Sequence, residues 1–214
     1  MMSALEKIAD AVLNGDEQAA VQCVREALAE KRLAKQILDQ GLLAGMTEVG
    51  KRFREGEYFL PEVLIAAEAM KAAMDVLRPA LLSQGVHAEA RAVIGTVRGD
   101  LHDIGKNLVA TMLESAGFEV EDLGVDVSPE KFIEACRRKP AQIVAMSALL
   151  TTTMPEMEKI VSQIRRSLDP PPHIIIGGAP VTQEYANEIG ADGYGRDAAT
   201  GADVAKRLCI SRQR

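Results

Sequence analysis

Two rhythms divide the chain. Across residues 3–83 the apolar positions return every three to four residues, the spacing of one helical face. Leu5, Ile8, Ala9, Val12 and Leu13 make the first stripe, and Asn14-Gly15-Asp16 stops that helix and caps the next. Ala20, Val21, Val24, Ala27 and Leu28 make the second. A third stretch from about Ala34 to Arg54 carries Ile37, Leu38, Leu42, Met46, Val49 and Phe53, while Gly41, Gly45 and Gly50 imply close packing or a break. Leu60-Pro61 opens a fourth helix, with Pro in the first turn where its missing N–H is tolerated. Four helices on short connections predict a small bundle.

From Ala90 the rhythm changes. Ala92–Val97 is a short β-branched run, Phe118–Leu123 alternates, and Ile143–Met146 and Ile174–Ile176 are continuous apolar runs of the kind buried on both faces. A weaker fifth strand is expected near Gly193-Tyr194. Helical patterns at 106–116, 129–138, 154–167, 182–189 and 198–209 fall between and after these strands. Strand–helix alternation predicts a five-stranded parallel sheet covered on both faces, a doubly wound, flavodoxin-like α/β fold. The join falls within 78–90, which contains Pro79 and Gly85. The expected division is 1–83 for the helical domain, 84–90 for a linker and 91–214 for the sheet domain.

Composition narrows the class. Aromatic residues are 3% and Trp is absent, so the core must be built from Ala, Val, Leu, Ile and Met. With 25 basic and 31 acidic residues the net charge is -6, which argues against a general nucleic-acid binder and against attraction to an anionic membrane. Cys23, Cys136 and Cys209 are sparse and show no CxxC spacing, as expected of a reducing compartment. Met1-Met2-Ser3 runs directly into Glu6, Lys7 and Asp10, with no apolar targeting core, so the expected location is the cytoplasm.

In a sheet of this kind ligands bind beyond the carboxyl ends of the strands. The loop after the first strand reads Gly99-Asp100-Leu101-His102-Asp103-Ile104-Gly105-Lys106-Asn107. Of the three histidines, His87 in the linker and His173 before a strand read as ordinary structural residues. His102 differs because Asp100 stands two residues away, and a metal-ligating imidazole usually gives its second ring N–H to a carboxylate. One histidine does not make a zinc site. Any metal here must bring most of its own ligands, as a macrocycle does.

Spacing strengthens the case. Forty-one residues separate Gly105 from Ser147-Ala148-Leu149, and 27 separate Leu149 from Gly177-Gly178. This DxHxxG…SxL…GG arrangement resembles the signature of the cobalamin-binding (corrinoid) proteins, such as the B12 module of methionine synthase and the corrinoid carriers of methylamine, methanol and O-demethylase systems. Gly45–Phe53 and Gly56–Val63 are similar to the helical cap of the same proteins.

The resemblance implies cobalamin bound with its own base detached and His102 as the lower ligand of cobalt (base-off/His-on). It implies Asp100 as the carboxylate partner of His102, and Gly105, Ser147, Leu149, Thr151, Gly177 and Gly178 around the nucleotide tail. Thr153 stands where the family has a further hydroxyl extending the His–Asp relay, and could equally cap the following helix. Met46, Phe53, Leu60 and Val63 match the cap residues that cover the corrin, though periodicity alone would make them bundle core.

The implied function is a non-catalytic carrier subunit cycling between cob(I)alamin and methylcobalamin. Its partners would be a substrate-specific corrinoid methyltransferase, a second methyltransferase delivering the methyl to tetrahydrofolate or a thiol, and a reductive activating protein. Competing readings are the cobalamin domain of a mutase, a B12-dependent sensor or storage module, and a cobalt-free flavodoxin-like module.

Overall fold

The computed structural model describes residues 2–86 and 90–211, so His87 lies outside the described residues. The chain divides into two compact units, one helical and one α/β.

The helical unit begins with α1 (Ala4–Leu13), whose Ser3 and Glu6 form a reciprocal capping box, and α2 (Glu17–Ala29), capped by the Asp16 side chain. The third helical stretch is not one regular helix. It runs from α3 (Ala34–Gln36) through a π-helical segment, Ile37–Leu42, into α4 (Leu43–Glu55). Both roles expected of its glycines are visible. The wide turn coincides with Gly41, and a Cβ there would lie 2.9 Å from Ile8 of α1. A Cβ on Gly45 would lie 2.7 Å from the Ala9 carbonyl oxygen. The segment therefore lies closer to α1 than any side-chain-bearing residue at those positions would permit.

Helix α5 (Leu60–Ser83) completes the bundle, with Glu62 accepting the Phe59 N–H at its start. It continues through Pro79, which composition had suggested belongs to the connection. Leu77 and Leu81, buried on either side of Pro79, carry the apolar stripe past the missing hydrogen bond.

The α/β unit alternates β1 (Ala90–Thr96), α6 (Ile104–Ser115), β2 (Phe118–Asp122), α7 (Pro129–Arg138), β3 (Ile143–Ser147), α8 (Met154–Ser167), β4 (His173–Gly177), α9 (Gln183–Ile189), β5 (Gly193–Gly195) and α10 (Ala198–Ser211). All five strands are parallel in the order β2-β1-β3-β4-β5. The order reverses between β1 and β3, and that switch opens a crevice at their carboxyl ends.

Register turns the sequence spacings into adjacency. Thr96 pairs with Ser147, Ser147 with Gly177, and Gly177 with Gly195, so the ends of four strands lie in one row.

Both faces of the sheet are packed. Val93, Val144, Met146, Ile174 and Ile176 pack with Phe132, Ile133, Met157, Ile160, Ile164, Ala186 and Ile189 from α7, α8 and α9. On the other face Ile94 and Ala145 pack with Ala110 of α6, and Ala92, Ile143, Ile175 and, from α6 and α10, Leu113, Ala202 and Val204 are also buried. Phe132 is fully buried, and a Cβ on Gly95 would meet its ring at 2.9 Å, so β1 is shaped around it. Phe132→Ala is expected to lower stability by about 3–5 kcal/mol, through lost transfer energy and an unfilled cavity. Urea unfolding followed at the α/β unit checks this, and a loss under ~1 kcal/mol would mean the neighbours collapse into the space.

Candidate functional site

Loops following β1 and β3 build the site around one carboxylate. Asp100 is 0% exposed. Its Oδ1 accepts the His102 backbone N–H at 3.1 Å and faces His102 Nδ1 at 2.7 Å. Oδ2 accepts the Leu149 N–H at 2.8 Å, the Leu150 N–H at 3.3 Å and the Thr153 hydroxyl at 2.8 Å.

Burial alone would push the Asp100 carboxyl up. The hydrogen bonds from Leu149, His102 and Thr153 outweigh that penalty and hold it far below the ordinary carboxylate range. An ionised Asp100 accepts a hydrogen bond from Nδ1–H, which fixes the His102 tautomer and leaves the Nε2 lone pair for an electrophile or metal.

His102 itself is half in solvent, with 53% of its side chain exposed. Around it Leu101 and Ile104 are 72% and 74% exposed, and Leu149 and Leu150 are each 42% exposed. A polar ligand atom thus stands amid uncovered apolar side chains, which suits a large, partly apolar cofactor. Among the described residues no group of three or more His, Cys, Asp or Glu could hold a metal ion. The donor set therefore fits a metal that arrives with its other ligands in place.

The remaining residues singled out by sequence fall as follows. Ser147 ends β3, half-buried, and its carbonyl accepts the Val97 N–H at 3.0 Å. Leu149 contributes a backbone N–H to Asp100, a role that a side-chain pattern does not reveal. Thr151 is exposed on the turn before α8. Thr153 makes no capping bond to α8, and its hydroxyl lies within reach of Asp100 and, at 2.9 Å, of the Leu150 carbonyl.

Gly105 lies in the first turn of α6, where a Cβ would meet nothing within 4 Å, so the protein's own packing does not call for glycine there. Gly177 and Gly178 are the opposite case. A Cβ on Gly178 would lie 1.9 Å from the Ala148 carbonyl oxygen at a φ of +129°, and one on Gly177 would lie 2.8 Å from the Gly195 oxygen. The fold requires that pair with or without a ligand.

In the helical unit Met46 and Val63 have the burial of core residues, at 3% and 0% exposed. Phe53 and Leu60 are half-buried and retain apolar surface. His173, read as structural, has a buried Nε2 without a hydrogen-bond partner among the described residues.

Two residues escaped the sequence reading. Thr96 is fully buried and donates its hydroxyl to the His102 carbonyl at 2.8 Å. Asp126 in the β2–α7 loop accepts the Gly99 N–H at 2.7 Å, and its own N–H reaches the Asp100 carbonyl at 3.1 Å. Thr96 is hidden in an apolar run and Asp126 resembles any turn aspartate, so neither carries a spacing signal.

Both units resemble known proteins. Residues 90–203 match the model of a B12 binding domain, and residues 4–78 match a second B12 binding domain model. Trimethylamine corrinoid protein 1 of Methanosarcina acetivorans is 43% identical over 207 residues, covering 95% of this chain and 94% of the relative. Among solved structures, a cobalamin-binding protein from Desulfitobacterium hafniense superposes with a TM-score of 0.82 at 36% identity, covering 97% of this chain and 99% of the other. A chain of the methanol:cobalamin methyltransferase complex from Methanosarcina barkeri gives a TM-score of 0.83 at 27% identity, covering 97% of this chain and 80% of that one.

The state of Asp100 yields a pH test that needs no ligand. Its folded-state pKa is depressed, so its contribution to stability is full above the unfolded value of about 3.9 and fades as pH falls from there toward the folded value. Asp100→Asn is expected to be less stable by about 1–3 kcal/mol at pH 7, because charge-assisted bonds are weakened. That gap should narrow steadily below about pH 4. Chemical denaturation of both proteins at pH 7 and at pH 3 checks this, and a gap independent of pH would mean that Asp100 is not ionised in the folded chain.

Proposed function

We propose that this chain, which belongs to the B12-binding corrinoid protein family, carries a methyl group on cobalamin between a substrate-specific methyltransferase and a second, acceptor-methylating one. The observation that carries the proposal is the Asp100–His102 pair: a buried, fully bonded carboxylate orients a half-exposed imidazole with Nε2 free at the switch point of the sheet. Its resemblance in sequence and fold to methylamine corrinoid proteins and to a chain of a methanol:cobalamin methyltransferase complex supports the carrier role.

Bound cobalamin supplies a cobalt centre able to accept a methyl group from one partner and release it to another. The chain's own residues do the rest. His102 would hold the cobalt through Nε2, in place of the cofactor's own base. Asp100 keeps the proton on Nδ1 and stabilises positive charge that ligation draws onto the ring. Thr153 and the Leu149 and His102 amides hold Asp100 ionised. Gly105 opens onto free space, and Ser147, Leu149, Thr151, Gly177 and Gly178 lie at and just beyond the neighbouring strand ends, which together fit the nucleotide tail.

The proposed acceptor is tetrahydrofolate or a thiol, and a reductive activating protein would restore the cofactor after oxidation. No helix among the described residues is long and apolar enough to cross a membrane.

Two substitutions separate ligation from tail binding. His102→Ala should still bind cobalamin, with a changed absorbance spectrum and without histidine nitrogen coupling in the electron paramagnetic resonance spectrum of its cobalt(II) form. It should also no longer accept methyl groups from a methylamine or methanol methyltransferase. A spectrum identical to that of the wild type would remove His102 from cobalt.

Gly105→Leu should fold at least as stably as the wild type, since leucine is favoured over glycine in a helix by several tenths of a kcal/mol. Its affinity for full cobalamin should fall by at least about tenfold, equivalent to 1.4 kcal/mol. Its affinity for cobinamide, which lacks the tail base, should change little. Equal losses for the two ligands would place the tail elsewhere.

A further inference from the structure

We propose that Asp126 is a positioning residue for His102, holding the β1–α6 loop in the conformation that keeps the Asp100–His102 pair engaged. Its consequence for cobalt ligation rests on the reading above, whereas the loop-holding role does not.

The loop from Val97 to Asp103 is gripped from two sides. On the β3 side the Ser147 carbonyl accepts the Val97 N–H and the Leu149 and Leu150 amides bind the Asp100 side chain, while Thr96 of β1 holds the His102 carbonyl. None of these contacts meets the Gly99 N–H or the Asp100 carbonyl.

On the β2 side the backbone itself is held. Val97 bridges Val127, and the Val127 N–H donates to the Thr96 carbonyl at 2.9 Å. One step on, Asp126 makes a reciprocal pair across the gap: its Oδ1 accepts the Gly99 N–H and its N–H donates to the Asp100 carbonyl. The two bonds flank the Gly99–Asp100 peptide, which directs both the Asp100 side chain and the following turn to His102.

The backbone of Asp126 shows that this arrangement is specific. Its φ is +53°, in the left-handed region that β-branched and most other side chains avoid and that Asp and Asn tolerate. In that conformation the residue presents both its own N–H and its carboxylate to the β1–α6 loop. Gly99, at φ +81°, is the matching left-handed residue opposite. Asp126 and Gly99 are both exposed, so water can replace the lost bonds and the chain should remain folded without them. The effect of losing Asp126 is then loosening of one loop rather than collapse of the unit.

The function required of Asp126 is that of a hydrogen-bond acceptor able to occupy the left-handed region, not of a negative charge. Asparagine can serve and alanine cannot.

The test compares the full-length wild type, Asp126→Ala and Asp126→Asn without cofactor by nitrogen-15 NMR. In the wild type His102 should be held as the Nδ1–H tautomer, with slow exchange of the Gly99 and His102 amides. In Asp126→Ala the tautomer should become mixed and those amides should exchange on the order of tenfold faster, as expected for one lost hydrogen bond. Asp126→Asn should stay within about twofold of the wild type, with thermal midpoints close for all three.

After reconstitution with cobalamin, the fraction of cobalt(II) showing histidine nitrogen coupling should fall in Asp126→Ala and recover in Asp126→Asn. Wild-type tautomer and exchange in Asp126→Ala would overturn the proposal, as would an asparagine variant as impaired as alanine. Absence of nitrogen coupling in the wild type would instead count against His102 as a ligand, with the cofactor-free spectra still deciding the role of Asp126.

Discussion

A carboxylate taken wholly out of water and kept charged is the constraint on which this site depends. Moving an ion into a protein interior costs several kcal/mol unless its lone pairs are met by donors. Asp100 meets that condition with donors from residues 102, 149, 150 and 153, two of them N–H groups of the loop after β3. The requirement works in both directions. Asp100 orients His102, and it also dictates where the β3–α8 turn must run, because amides placed elsewhere would leave a buried charge unmet. The loop that presents the imidazole and the loop that follows β3 are therefore one electrostatic unit.

The sheet makes that unit possible through register. Parallel pairing places Thr96, Ser147, Gly177 and Gly195 side by side although they are far apart in the chain. The face packed by α7, α8 and α9 is filled with branched and aromatic side chains, and buried residues of α6 and α10 cover the other. The close approach of Gly178 to Ala148 shows how tightly the strand ends are drawn together.

The helical unit solves a different packing problem with almost no aromatic residues. Its core is Ala, Val, Ile, Leu and Met, so helices must come close to bury enough surface. Gly41 and Gly45 allow that approach along α1, and the π-helical turn shifts the residues that follow it by a fraction of a turn. A regular α-helix continued from Ala34 would present α4 on another face, with Met46 and Val49 rotated away from the interior they occupy.

The elements and the chemistry of the key residues were determined locally, by hydrophobic period and by motif. Helical spacing located the bundle, and apolar runs or alternation bounded by turn residues located the first four strands, because burial on one helical face or on the sheet leaves a pattern along the chain; β5, Gly-Tyr-Gly, left only a weak one. His102 and Asp100 stood out because their loop is followed by Ser147-Ala148-Leu149 and Gly177-Gly178 at family-like separations; a histidine two residues from an aspartate is by itself a weak signal. Other features had no local signature. The π-helical turn, the helix running through Pro79 and the open space beside Gly105 depend on what lies across from each residue.

Tertiary structure alone decided that Thr153 bonds Asp100 instead of capping α8, that Leu149 acts through its backbone, and that Thr96 and Asp126 brace the histidine loop. Backbone amides are the same at every position, and a turn aspartate looks alike in any loop. Which of them becomes a partner depends on the register that brings distant strand ends together, and that register is a property of the folded sheet.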